Sequence, residues 1–416
     1  MSKPRGSVLP RTTTAIAVLL ATGSPALAQP SAPEKTPVPS YEISKEVPLP
    51  GPDRWDFVKF SSTERRVYVA HGDRVSVVDE PTGKVIGQIG NLPGITHGIA
   101  ISPETHQGYT DEGQPGLAVA FDLKTLRQTK TITTAPDADG ILYEPTTKHI
   151  YVVNGDSGSI SVVDPSSDRT VATIDIGSKL EPAEADGEGH IYVNGEEKNE
   201  IVAIDAKTNK VFAHWAMPTC QTPHGIAIDR STRRLFSSCA NKVLVVVNLD
   251  TGATVATLPI GTHSDGAAFD PVRKLVFSSN GDGTLSVIKE LSANRFVSAE
   301  TVETKPGART MSIDPKTGRI FLVAAESGPA SATSTPPGDH HPTYAPDSVK
   351  LLYVDPEPPA ASQSISGSRY TPASRTGAPT GAAPLGPARP ARLTCCLVPM
   401  AVNRRGVQAP IGILSA

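Results

Sequence analysis

Residues 151–175 read YVVNGDSGSISVVDPSSDRTVATID. Three short apolar, alternating runs are separated by two breaks, Asn154–Gly158 and Asp164–Asp168, built from turn-forming residues. Valine, isoleucine and tyrosine suit the half-buried surface of a pleated sheet, whereas Gly, Asp, Asn and Pro supply the reversals between strands. The stretch therefore predicts two successive β-hairpins.

Variants of this unit recur along the chain. They read RRVYVAHGDRVSVVDEPTGKVIGQI (65–89), GHIYVNGEEKNEIVAIDAKTNKVFAHW (189–215), RRLFSSCANKVLVVVNLDTGATVATL (233–258), KLVFSSNGDGTLSVIKE (274–290) and GRIFLVAAE (318–326), with a looser copy at 106–132. Most follow a further short strand such as HGIAISP (97–103), DGILYEP (139–145), HGIAIDR (224–230), DGAAFDP (265–271) or RTMSIDP (309–315). The position just before that first strand falls at Asp56, His97, Asp139, Glu181, His224, Asp265 and Arg309, at spacings of 41, 42, 42, 43, 41 and 44 residues. Four strands per period of this length predict an all-β, seven-bladed β-propeller. A parallel β-helix, the other repeat architecture to weigh, has a shorter period and lacks four-stranded units.

The last unit has a first strand at 310–314, a second at 319–324 and a third at 349–355, but no fourth. YEISKEVPLPG (41–51), ahead of the first unit, resembles the fourth strands of the others. It is expected to complete blade seven, which closes the circle and leaves no long strand edge open. The propeller is thus expected over 41–355.

Composition bounds the remainder. The 416 residues are 38% hydrophobic and 19% charged, with 39 Pro and 35 Gly. Residues 1–28 carry Lys3, Arg5 and Arg11, a short apolar run at 15–21 and Ala26-Leu27-Ala28. This is the pattern of a cleavable secretory signal with cleavage after Ala28, so a periplasmic or secreted location is expected. A linker is expected at 29–40, and no transmembrane segment in the mature chain. Residues 356–416, rich in Pro, Ala, Gly, Ser and Arg, read as a disordered tail. Vicinal Cys395-Cys396 in this tail read as incidental, with a metal or redox site the alternative. Residues 29–355 hold 30 basic and 41 acidic side chains, an acidic balance that disfavours nucleic acid as a partner.

YVVN (151–154), HGIAID (224–229), SSNGDGTLSV (278–287) and GARTMSIDPKTGRIFL (307–322) resemble the YVTN-repeat, YncE-like propellers of bacteria. The resemblance spans roughly Tyr41–Asp355 and implies a secreted or periplasmic propeller, without implying one agreed reaction. Related propellers include a haem-binding domain of a periplasmic nitrite reductase and seven-bladed lactonases. The tail departs from the family pattern.

In a propeller the first strand of each blade lines the central channel, so the seven aligned residues are expected to ring its upper mouth. They form two acid–His–acid runs, Asp56–His97–Asp139 and Glu181–His224–Asp265, with Arg309 between them. One reading is a set of solvated entrance residues. The other is a ligand site, because carboxylates beside a histidine raise its pKa and fix its tautomer for proton transfer or metal ligation. His97 and His224, three blades apart, are expected not to share one ion. Cys220, in the loop entering blade five, and Cys239, at the end of that blade's second strand, are expected to form a disulfide in an oxidising compartment, with free thiols as the alternative. The long insert at 326–348, with His340-His341, reads either as a lid or as an exposed Pro-rich loop. Covalent haem, a phosphate-binding glycine loop and a Gly-x-Ser-x-Gly elbow have no motif here. The expected function is a binding or protein-interaction scaffold for a small-molecule ligand or a periplasmic protein partner, with no cofactor required. The alternative is a lactonase-type hydrolase using the ring, possibly with a divalent metal.

Overall fold

In the computed structural model residues 38–328 and 344–357 are described. They form twenty-eight strands, β1–β28 in chain order, arranged as seven four-stranded antiparallel sheets. Blade one is β2 (Val58–Ser61), β3 (Arg66–His71), β4 (Arg74–Asp79) and β5 (Lys84–Ile89), and the later blades repeat this order. The innermost strands of the seven blades are β2, β6 (Thr96–Ser102), β10 (Ala138–Glu144), β14 (Leu180–Ala185), β18 (Pro223–Asp229), β22 (Ser264–Asp270) and β26 (Met311–Ile313). Each packs against the innermost strands on either side, so they form a closed circle.

Burial follows from this stacking. Second and third strands lie between neighbouring blades and are buried on both faces, as in RVYVAH and RVSVVD of blade one. Fourth strands face solvent and alternate, as in the KVFAHWA strand of blade four. One aromatic recurs in every second strand: Tyr68, Tyr109, Tyr151, Tyr192, Phe236, Phe277 and Phe321, all buried. Full burial of such a side chain contributes on the order of 1.5–3 kcal/mol. Two of the hydroxyls reach the next blade, Tyr109 donating to Asp168 at 3.0 Å and Tyr151 to the carbonyl of Ala206 at 3.1 Å. These aromatic rings therefore fill the wedges between blades and also tie them together.

The closure expected from the sequence is present. β1 (Tyr41–Pro48) pairs antiparallel with β28 (Lys350–Pro356), which pairs with β27 (Ile320–Ala324), so blade seven takes its outer strand from the start of the chain. The seam extends slightly beyond the expected bounds. Pro356 ends β28, and the amide of Glu357 donates to the carbonyl of Ser40 at 2.7 Å. The propeller thus includes the first residues assigned to the tail and the last of the linker. On its inner side the seam carries an ion network in which the buried Glu80 receives both Arg65 and Arg319, and Arg319 also holds Asp355 at 2.6 Å. The signal (1–28), the body of the insert with His340-His341, and the tail beyond 357 with Cys395-Cys396 lie outside the described residues.

Glycine follows the mouth residue in four blades: Gly98, Gly140, Gly225 and Gly266. At Gly225 a Cβ would meet the backbone carbon of Gly266 at 2.5 Å, so β18 and β22 can approach only without a side chain there. At Gly140 the nearest atom to such a Cβ is 3.5 Å away, an ordinary contact. Gly225→Ala should therefore lower unfolding free energy by about 1–3 kcal/mol in chemical denaturation, from overpacking against backbone. Gly140→Ala should change it by much less; equal effects would refute this account of the collar.

Candidate functional site at the channel mouth

A local irregularity sets each mouth residue. In five blades the pairing between first and second strands slips at this point: between Thr96 and Ile99, Ala138 and Gly140, Leu180 and Ala183, Pro223 and Ile226, and Ser264 and Gly266. His97, Asp139, Glu181, His224 and Asp265 are the residues left out of register. The sequence placed them just before the strand, but they lie at its second position, because pairing resumes upstream of the slip. A bulge of this kind re-aims a side chain that regular pleating would turn into a sheet face.

The backbone of the ring is interlocked. The carbonyl of Asp56 accepts from Thr310 at 2.8 Å, that of His97 from the amide of Phe57 at 3.0 Å, and that of His224 from Asn194 at 2.6 Å. The carbonyl of Arg309 accepts from the Ser279 hydroxyl. In each case the donor belongs to the preceding blade, so the mouth is held as a unit.

The side chains resolve into two groups, as the spacing of the histidines implied. In each of the sets Asp56–His97–Asp139 and Glu181–His224–Asp265, the candidate ligand atoms lie within 4.8 Å of one another. His97 Nδ1 sits 2.8 Å from Asp56 Oδ2 and 2.9 Å from Asp139 Oδ1. Burial pulls the His97 pKa down, but its hydrogen bonds to Asp139 and Asp56 outweigh it and lift the imidazole to about 11. Burial pushes the Asp56 carboxyl up, against the pull of His97. The second group is looser: His224 Nδ1 is 3.4 Å from Glu181 Oε1 and 3.8 Å from Asp265 Oδ1. Burial lowers His224 while Glu181 and Asp265 raise it, giving about 9; burial lifts Glu181 to about 7 despite His224. Arg309 Nε stands 3.0 Å from the other oxygen of Asp265.

Several contributors were not found from the sequence. Asp111, fully buried on β7 (Gln107–Glu112), accepts from the amides of His97 at 3.1 Å and Gly98 at 2.6 Å. Burial raises it to about 6, and its Oδ2 has no hydrogen-bond partner among the described residues. Ser238 plays a corresponding part in blade five, accepting from the Gly225 amide at 3.1 Å. Aligning second strands would have pointed to both. Trp55 and Tyr344, with ring centroids 4.5 Å apart, flank Gly307 close to Arg309. Nothing in the repeat pattern pairs them, since Tyr344 belongs to the insert.

Cys220 and Cys239 form the expected disulfide, with Cα atoms 5.5 Å apart. Cys239 pairs across the sheet with Pro223, so the bond fixes the residue next to His224. Below the ring lies a channel of about 740 Å³. Its walls include Ile99, Ile141, Ile226, Ala227, Ala267 and Met311, Asp265 marks its upper end, and an Arg230–Glu184 pair at 2.9 Å stands at the other.

No protein-family model matches the chain, and neither does any curated protein. Solved structures do. The structure titled U3-55K aligns with a TM-score of 0.63 at 10% identity, covering 75% of this chain and 99% of that one. The RRP9 WD40 repeats align at 0.64 and 10%, covering 76% and 100%. Kuenenia stuttgartiensis hydrazine synthase aligns at 0.56 and 15%, covering 73% and 95%. At these identities the likeness is one of fold alone, that of the seven-bladed β-propeller seen in the chain itself.

The sign of the His97 shift sets a pH dependence. A histidine whose folded pKa is raised stabilises the fold fully below its unfolded value near 6.5, and that contribution fades as pH rises toward the folded value of about 11. The destabilisation caused by His97→Gln should therefore be larger at pH 6 than at pH 10.5. By NMR, Asp139→Asn should lower the His97 midpoint by about 1–3 pH units. A wild-type midpoint near 6.5 would show that the two carboxylates do not hold the proton.

Proposed function

We propose that this protein is an exported binding propeller that takes a small amphiphilic ligand at the mouth, its polar head on the ionisable ring and its apolar part in the channel. The observation that carries this reading is the junction of the two: a rim of seven ionisable positions, interlocked through the carbonyls of four of them, above a channel lined in part by aliphatic side chains. A channel of about 740 Å³ is of the size that encloses a small organic ligand. The resemblance to YncE-like propellers and the signal-like residues 1–28 support export, and the disulfide suits an oxidising compartment. An acidic propeller body speaks against nucleic acid as the ligand.

A second reading is favoured by one specific feature. Glu181, held at about 7 by burial and 3.4 Å from His224, is poised for proton exchange near neutrality, with Arg309 nearby to receive an anion. This would suit a lactonase-type hydrolase, in which Glu181 takes a proton from a water attacking the lactone carbonyl, the ring C–O bond breaks, His224 gives a proton to the departing alkoxide, and Arg309 steadies the carboxylate that forms. Lactone turnover abolished by His224→Ala would move this reading ahead.

The binding reading is tested by calorimetry with straight-chain carboxylates and alkylammonium ions from butyl to decyl. Affinity should rise with chain length and fall at least about tenfold in Ala227→Trp, which fills the channel. Absence of binding across both series, or binding indifferent to Ala227→Trp, would refute it.

A further inference from the structure

The two acid–His–acid groups have the same composition and different geometry. In the first, both carboxylates approach one nitrogen, His97 Nδ1, at 2.8 and 2.9 Å, the distances of charge-assisted hydrogen bonds. The proton between them already satisfies the group, and the backbone beneath is pinned by the buried Asp111. In the second, the corresponding distances are 3.4 and 3.8 Å, too long for a strong hydrogen bond. A metal ion with bonds of about 2.0–2.2 Å to nitrogen and oxygen separates its tetrahedral ligands by about 3.3–3.6 Å. In the looser group the Glu181 distance of 3.4 Å falls in that range and the Asp265 distance of 3.8 Å lies just above it, whereas both distances of the tighter group fall well below it.

Three surrounding features point the same way. Glu181, His224 and Asp265 have side chains only 12–24% exposed, so their donor atoms converge in a partly desolvated position. Arg309 holds Asp265 Oδ2 at 3.0 Å, which leaves Oδ1 toward the imidazole and orients the carboxylate as an outer-shell partner does. Asn194 and the Cys220–Cys239 bond fix the backbone around His224 from both sides. One imidazole with two carboxylates suits a first-row divalent ion such as Zn2+, whereas Ca2+ prefers six to eight oxygens.

We infer that Glu181, His224 and Asp265 form a divalent metal site selective for Zn2+-like ions, and that Asp56, His97 and Asp139 form a proton-held structural counterpart. Three protein ligands leave a coordination position open. Asp265 lines the channel, so that position is placed to receive an oxygen donor of the channel's ligand, with Arg309 beside it. This last step rests on the binding reading above and narrows the head group to a carboxylate.

The test is Zn2+ titration by calorimetry into the chelator-treated chain, with Mn2+ in parallel. One site per chain is expected. It should weaken at least about tenfold in His224→Ala and in the isosteric Glu181→Gln, and stay within about twofold in His97→Ala. Thermal unfolding of each variant separates loss of the site from loss of the fold, and Glu181→Gln serves if His224→Ala does not fold. No binding of either ion, two equivalent sites, or a site lost in His97→Ala but kept in His224→Ala would each overturn the inference. Repeating the alkyl series with and without Zn2+ separates the two proposals. Zn2+ binding without any probe binding leaves the metal site standing and removes the ligand reading. Probe binding that needs no Zn2+ and ignores Glu181→Gln leaves the ligand reading and removes the metal from it. Carboxylate binding that requires Zn2+, with ammonium binding that does not, is the result expected from both together.

Discussion

Seven strands crowd one axis, and that crowding governs the rest of the molecule. Innermost strands can approach each other only where side chains are withdrawn, and Gly225 against the backbone of Gly266 shows the limit reached. Close approach in turn allows carbonyls of the mouth to accept hydrogen bonds from the preceding blade, as at Asp56, His97, His224 and Arg309. Buried backbone groups need such partners, so each bond contributes geometry as well as stability. The circle is sustained from outside by the aromatic of every second strand and by β1, which gives the last blade its fourth strand and ties the two ends of the propeller together.

The same crowding concentrates charge. Residues that regular pleating would scatter are turned by bulges toward one rim, where four carboxylates, two imidazoles and one guanidinium meet. Partial burial penalises every charge there, and pairing decides which charges survive. Around His97 the balance is reached with a shared proton at short range. Around His224 the donors stand further apart, and Arg309 compensates Asp265 from the side. A mouth with one half closed by its own hydrogen bonds and the other half open is asymmetric, which a sevenfold repeat alone would not produce. The aromatic pair of Trp55 and Tyr344 adds to this asymmetry, because only blade seven carries an insert.

Much of this was legible along the chain. A period set by four strands and their turns cannot be satisfied by many folds, so the blade count followed from spacing. The missing fourth strand of the last unit identified 41–51 as its replacement, since that segment resembles the fourth strands of the other units and stands ahead of the first. Positions 56, 97, 139, 181, 224, 265 and 309 were found by alignment and do share one rim. Their place relative to the strand was missed by two residues in five blades, because a bulge inserts an extra residue without leaving any signature in hydrophobic alternation. Asp111 and Ser238 escaped notice because a polar residue inside a second strand reads as an imperfection until the amide it receives is known.

The sequence by itself determined the fold, its closure and the membership of the ring, since hydrophobic period, turn chemistry and repeat length are all properties of order along the chain. Only the tertiary structure decided that the two acid–His–acid groups differ. Each is assembled from three blades about 40 residues apart, so its internal distances depend on how the blades lean together and on what holds each backbone from beneath. The two groups differ by less than an ångström, 2.8 against 3.4 Å at their closest contacts, and no linear pattern encodes it.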